Sequence, residues 1–147
     1  MPAATKKKFE GFSEFEREAM KNRAKELVAE AKAKKNKAAG ENLALEAIAA
    51  LSEPDRSMAK RIHELITENA PDLWPKTWYG MPAYAKNDKV ICFFQAAEKF
   101  KARYATLGFS DSAKLDEGSM WPTSFGLKEL NDDVEKKIVK LVKQAIG

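Results

Sequence analysis

The chain predicts an α+β domain: an antiparallel sheet with helices packed on one face, preceded by a basic helical extension. Three observations carry this. Apolar residues recur at helical spacing before residue 70 and after residue 131. From Leu73 the pattern turns aromatic and β-branched. The strand signals therefore stand together between helices, which is the order of an α+β domain and not of alternating βα units.

The elements follow in order. Met1–Gly11 is polar and lysine-rich. Ser13 followed by Glu16 fits a capping box. Met20, Ala24, Leu27, Val28 and Ala31 then form one apolar stripe, which implies that the helix packs on the domain or on a second copy. A basic stretch from Lys32 to Lys37 suits a helix C-terminus, and Gly40 is expected to stop the helix. The expected boundary follows: residues 1–40 an extension, residues 41–147 the domain. Leu45, Ile48 and Ala49 mark a short helix over Glu41–Leu51. Ser52 is expected to cap the next one, with Pro54 in its first turn, Met58, Ile62, Leu65 and Ile66 on its apolar face, and Pro71 ending it.

About four strands are expected after that. Asn87-Asp88 between Ala83–Lys86 and Lys89–Gln95 signals a two-residue hairpin turn. Strand alternation puts Val90, Cys92 and Phe94 on one face and Ile91, Phe93 and Gln95 on the other. Phe100–Thr106 reads as a strand, with Ala102 and Tyr104 opposed to Lys101 and Arg103. Ser110-Asp111-Ser112 suits a short helical turn, Trp121-Pro122 a loop, and Phe125–Leu130 a last strand. Asn131 caps the final helix, whose core face is Val134, Ile138, Leu141, Val142 and Ala145.

Composition narrows the function classes. At 147 residues the chain is long enough to bury roughly 70% of its unfolded surface without staples. The single cysteine, Cys92, excludes an intramolecular disulfide and lies in an apolar run, where a buried, inert thiol is expected. No apolar run approaches the ~18–20 residues of a membrane span, and Lys6-Lys7-Lys8 is not followed by an apolar stretch. A cytoplasmic location and no membrane partner are the expectations. The net charge of +4 is uneven. Residues 1–37 carry 11 Lys/Arg against 6 Asp/Glu, whereas residues 38–147 carry 15 against 16. That near-neutrality argues against nucleic acid as a partner of the main domain.

No catalytic set is visible. His63 is the only histidine, and one helical turn away Ala59 and Thr67 offer no carboxylate to orient it. There is no glycine-rich phosphate loop and no cysteine pair. The chain is therefore expected not to be an enzyme.

The stretch Thr77-Trp78-Tyr79-Gly80-Met81-Pro82-Ala83-Tyr84 is the most distinctive in the chain. An apolar strand ending Cys92-Phe93-Phe94 follows it, then Lys101 with Tyr104, then Leu107-Gly108-Phe109. In these residues the chain resembles the YdhG-like domain family, a domain of unknown function, over about residues 45–146. The resemblance implies a frataxin-like sandwich. It also implies a role in iron handling, because a bacillar member of that family is described as a frataxin-like iron chaperone. Frataxins bind iron on a strongly acidic ridge, and this near-neutral domain departs from that pattern.

Two functional expectations follow. The first is a non-enzymatic binding protein with iron as its only expected cofactor. Glu64 and Glu68 share a helix face that Asp72 would extend, and Asp111, Asp116 and Glu117 add carboxylates from the sheet-bearing half. The second is an interaction module for a protein or an anionic polymer. Its surface would combine Trp78, Tyr79, Met81, Tyr84, Phe93, Arg103, Tyr104 and Trp121 with the basic N-terminal helix. Either a monomer or a homodimer fits both.

Overall fold

The computed structural model describes residues 14–33 and 36–147. Helices α1 (Glu14–Ala33), α2 (Lys37–Ala49) and α3 (Asp55–Asn69) precede the sheet, and α4 (Asp132–Ile146) follows it. The sheet has five antiparallel strands in chain order: β1 (Trp74–Trp78), β2 (Met81–Lys86), β3 (Lys89–Gln95), β4 (Ala105–Phe109) and β5 (Ser124–Leu127). The α+β class is as expected. No helix among the described residues is long and apolar enough to cross a membrane.

The helical half corrects the sequence reading at four points. Gly40 does not stop a helix. The Asn36 side chain accepts from the Ala38 amide at 2.9 Å, so α2 starts at Lys37, and Gly40, Ala44 and Ile48 form its buried stripe. Leu45 and Ala49, expected inside, are exposed. Ser52 does not cap α3, because its hydroxyl donates to the Glu98 carboxylate instead. Met20, Leu27 and Val28 of α1 stand exposed, although the helix lies against α2 and β1. The expected cap at Ser13 and the basic end at residues 32–35 lie outside the described side chains.

The strands differ for local reasons. Both short hairpin turns, Tyr79-Gly80 and Asn87-Asp88, have positive φ at each central residue, the twist that antiparallel neighbours require. The first of them joins Trp74–Trp78 to β2, so the sheet has five strands where about four were expected. The strand expected over Phe100–Thr106 begins only at Ala105. Residues 97–102 fold into a turn, with Ala102 N donating to Ala97 O at 2.8 Å and Lys101 at φ 53°. Phe125–Leu130 shortens to Ser124–Leu127. Ser110 caps a single turn as expected, its hydroxyl accepting from Ser112 N at 3.2 Å and its carbonyl from Ala113 N at 3.1 Å, and the same hydroxyl donates to Val90 O.

A register shift in the β2–β3 ladder changes the face assignment. Tyr84 pairs with Cys92 and Ala85 with Val90, so Ile91 is an extra residue. Ile91 and Cys92 both join the core, while Val90 leaves the face it was expected to share with Cys92. The core lies between the helices and one side of the sheet. Ile62 and Ile66 of α3 and Ile138 and Val142 of α4 meet Tyr84, Phe94, Leu107 and Leu127 there. Asn131 caps α4 as expected, accepting from Val134 N at 2.9 Å.

Candidate functional site

The register divides the strand residues cleanly. Tyr84, Cys92, Phe94, Leu107 and Leu127 face the helices. Trp78, Met81, Ala83, Phe93, Gln95, Thr106, Gly108, Ser124 and Gly126 face the other way. This open face holds the densest group of expected partner-surface residues. Phe93, on the central strand, lays its ring tip over Gly108 of β4, and its ring centroid lies 5.2 Å from that of Trp78. Trp78 in turn meets the edge of Tyr79 at 5.0 Å. Met81 and Ala83 are buried on this face, beside Trp78 and Phe93 in register.

Two glycines let the rings lie close to the backbone. A Cβ on Gly108 would fall 2.2 Å from the Phe93 ring tip, so only glycine fits there. At Gly126 the same atom would meet the Tyr104 ring at 3.1 Å. Aromatic side chains covering strand glycines restore the packing that a missing side chain removes. Tyr104 comes from the β3–β4 connection and stays 46% exposed, with the Arg103 guanidinium 5.0 Å from its ring centre. Lys99, from the same connection, donates to Gly80 O at 2.8 Å beside the Trp78–Tyr79 corner. A cavity of about 470 Å³ opens at the β1 edge between Trp74, Lys76, Asp72 and Leu43. A more open hollow of about 790 Å³ borders Arg103, Tyr104 and Gly126.

Two residues expected on the partner surface are elsewhere. Tyr84 is 1% exposed and points into the core. Trp121 packs half-buried against the core from the loop before β5. The reason for Tyr84 is polar. Its hydroxyl lies 2.9 Å from His63 Nδ1, and His63 Nε2 lies 3.3 Å from Glu41 Oε1. A carboxylate only accepts, so Nε2 donates to Glu41 and Nδ1 accepts from Tyr84. His63 therefore does have a carboxylate partner, supplied by α2 and not by its own helix. Burial pushes the Tyr84 hydroxyl well above its usual range. With that hydroxyl sealed in, the chain Glu41–His63–Tyr84 ties α2, α3 and β2 together. Burial likewise pushes the Cys92 thiol up to about 12, as expected of an inert thiol.

The carboxylates expected to hold iron do not converge. Glu64 is held by Arg61 at 3.2 Å, and the same guanidinium takes Glu135 at 2.8 and 3.1 Å. Glu68 is exposed, Asp72 lines the β1-edge cavity, and Asp111, Asp116 and Glu117 are exposed in the loop after β4. Among the described residues no three His, Cys, Asp or Glu side chains come close enough to hold a metal ion. These residues do not fit an iron site. The chain matches no protein-family model, no curated protein and no solved structure.

Proposed function

We propose that the protein is a non-catalytic binding module that takes its ligand on the open, aromatic face of the sheet. One observation carries this reading. Phe93 and Trp78 hold their rings together over a floor that Gly108 keeps low, on the face turned away from the core. A sheet with one face under helices can bury all its aromatics there. This sheet keeps five of them, Trp74, Trp78, Tyr79, Phe93 and Tyr104, on or beside the other side. Iron binding, the other expectation, has no comparable support.

Titration of ¹⁵N-labelled protein tests this, using a panel of nucleotides, aromatic carboxylates and short peptides, with Fe²⁺ run separately. Saturable amide shifts at Trp78, Phe93, Gly108 and Gly126 are expected from at least one organic ligand. Shifts confined to the Glu64–Asp72 segment with Fe²⁺ would replace this reading by the iron one. A panel that moves no amide of the open face would remove it.

A further inference from the structure

We infer that the open face binds single-stranded nucleic acid, with bases stacked on Phe93, Trp78 and Tyr104; this rests on the reading of that face as the ligand site. Three features of the face favour this occupant over a protein.

The first is the spacing of its rings. The Phe93 ring, with Trp78 beside it, lies over Gly108 of β4, and the Tyr104 ring lies over Gly126 of β5. Gly126 stands two residues along β5 from Ser124, the partner of Gly108, so the two rings are offset by one strand spacing of about 4.8 Å and by about 6.8 Å along the strands. That leaves room for a base at each. Base–aromatic stacking is tolerant of sequence because every base has a π-face.

The second is what lies between the rings. Gln95, Thr106 and Ser124 project from β3, β4 and β5 on the same face, partly or fully exposed. Amides and hydroxyls here meet base edges and sugar hydroxyls, whereas the core of a protein interface would call for apolar contacts.

The third is charge. The near-neutral total of residues 38–147 conceals a separation. The strand residues of the open face include no Asp or Glu, and Lys76, Lys99 and Arg103 stand on or around it. Of the carboxylates near the rim, Glu98 accepts from Ser52 and Asp72 lies at the β1 edge, while Glu64, Glu68 and Glu135 belong to the helical side. Exposed Lys21 and Lys25 of α1 add further positive charge outside the face. Cations at the rim of stacking aromatics are the arrangement that holds a phosphate backbone while its bases lie flat.

The test is fluorescence anisotropy of a short labelled oligothymidylate, repeated with oligouridylate, read alongside the protein's tryptophan emission. The wild-type chain should bind either strand, with emission quenched and affinity falling as salt rises. Phe93→Leu keeps apolar volume and should weaken binding roughly 5- to 150-fold, the worth of one stacked base. Arg103→Gln should flatten the salt dependence by about one phosphate contact. Circular dichroism and urea midpoints confirm that each variant is folded. Equal affinity for duplex DNA would overturn the inference, since a duplex hides its base faces. So would binding that survives Phe93→Leu but is lost in Lys21→Gln/Lys25→Gln. If neither strand binds while a peptide or aromatic acid shifts the Trp78 and Phe93 amides, the nucleic-acid inference fails and the binding face stands. If nothing shifts those amides, both fail.

Discussion

Phe93 and Phe94 are neighbours in one strand, yet they belong to two different surfaces. Phe94 is sealed beneath α3 and α4, in contact with the main core. Phe93 lies over Gly108 with Trp78 beside its ring and is only partly buried. The two faces use the same residue types. What separates them is what covers them: helices on one side and, among the described residues, the rings and the β3–β4 connection on the other. Aromatic content alone therefore does not distinguish a core from a binding surface; the glycine rungs beneath the rings do.

The contrast can be tested by mutation. Phe94→Ala should cost about 3–5 kcal/mol in urea denaturation, as expected for an emptied core site. Phe93→Ala should cost only about 1 kcal/mol. Equal losses would mean that the open face is as tightly held as the core and would end the distinction. Tyr84→Phe, on the helical side, should cost about 1–3 kcal/mol, because it leaves His63 Nδ1 buried without its donor. A neutral result would show that the Glu41–His63–Tyr84 chain adds nothing to folding.

Gly108→Ala should destabilise by about 1–3 kcal/mol by driving its methyl group into the Phe93 ring. Combined with Phe93→Ala, most of that loss should disappear, and a double-mutant cycle reads the coupling directly. Simple additivity would place the clash elsewhere. The smallest effect concerns Glu135. Hydrogen bonds from Arg61 hold its carboxyl below the usual range, so the folded state binds this proton less readily than the unfolded chain. The pair's contribution is complete above the unfolded value and is lost as pH falls through the lower, folded one. The stability gap between wild type and Glu135→Gln should therefore narrow from about pH 4.3 downwards.

Elements with local signals were legible in the sequence. Asn131 caps α4 because its side chain reaches an amide three residues on. The Asn87-Asp88 turn needs only two residues that accept positive φ. Features set by distant partners were not. Glu41 and Tyr84 lie 22 and 21 positions from His63, and no spacing rule joins them. The bulge at Ile91 reverses the face of Val90 without any glycine or proline to mark it. Phe100–Tyr104 alternates like a strand, but its backbone turns at Lys101. Of the candidate face, Trp78, Phe93 and Tyr104 could be named from alternation and motif. Gly108 and Gly126 could not, because their role exists only once β3, β4 and β5 are side by side.

Cys92 has a practical consequence for experiments on this chain. It is the only thiol, fully enclosed, and almost entirely protonated at neutral pH. A thiol reagent can reach it only when the sheet separates from α3 and α4. The rate of its labelling thus serves as a built-in clock for opening of the hydrophobic interior. A cysteine introduced at any exposed position could be tagged first and alone, leaving that clock untouched.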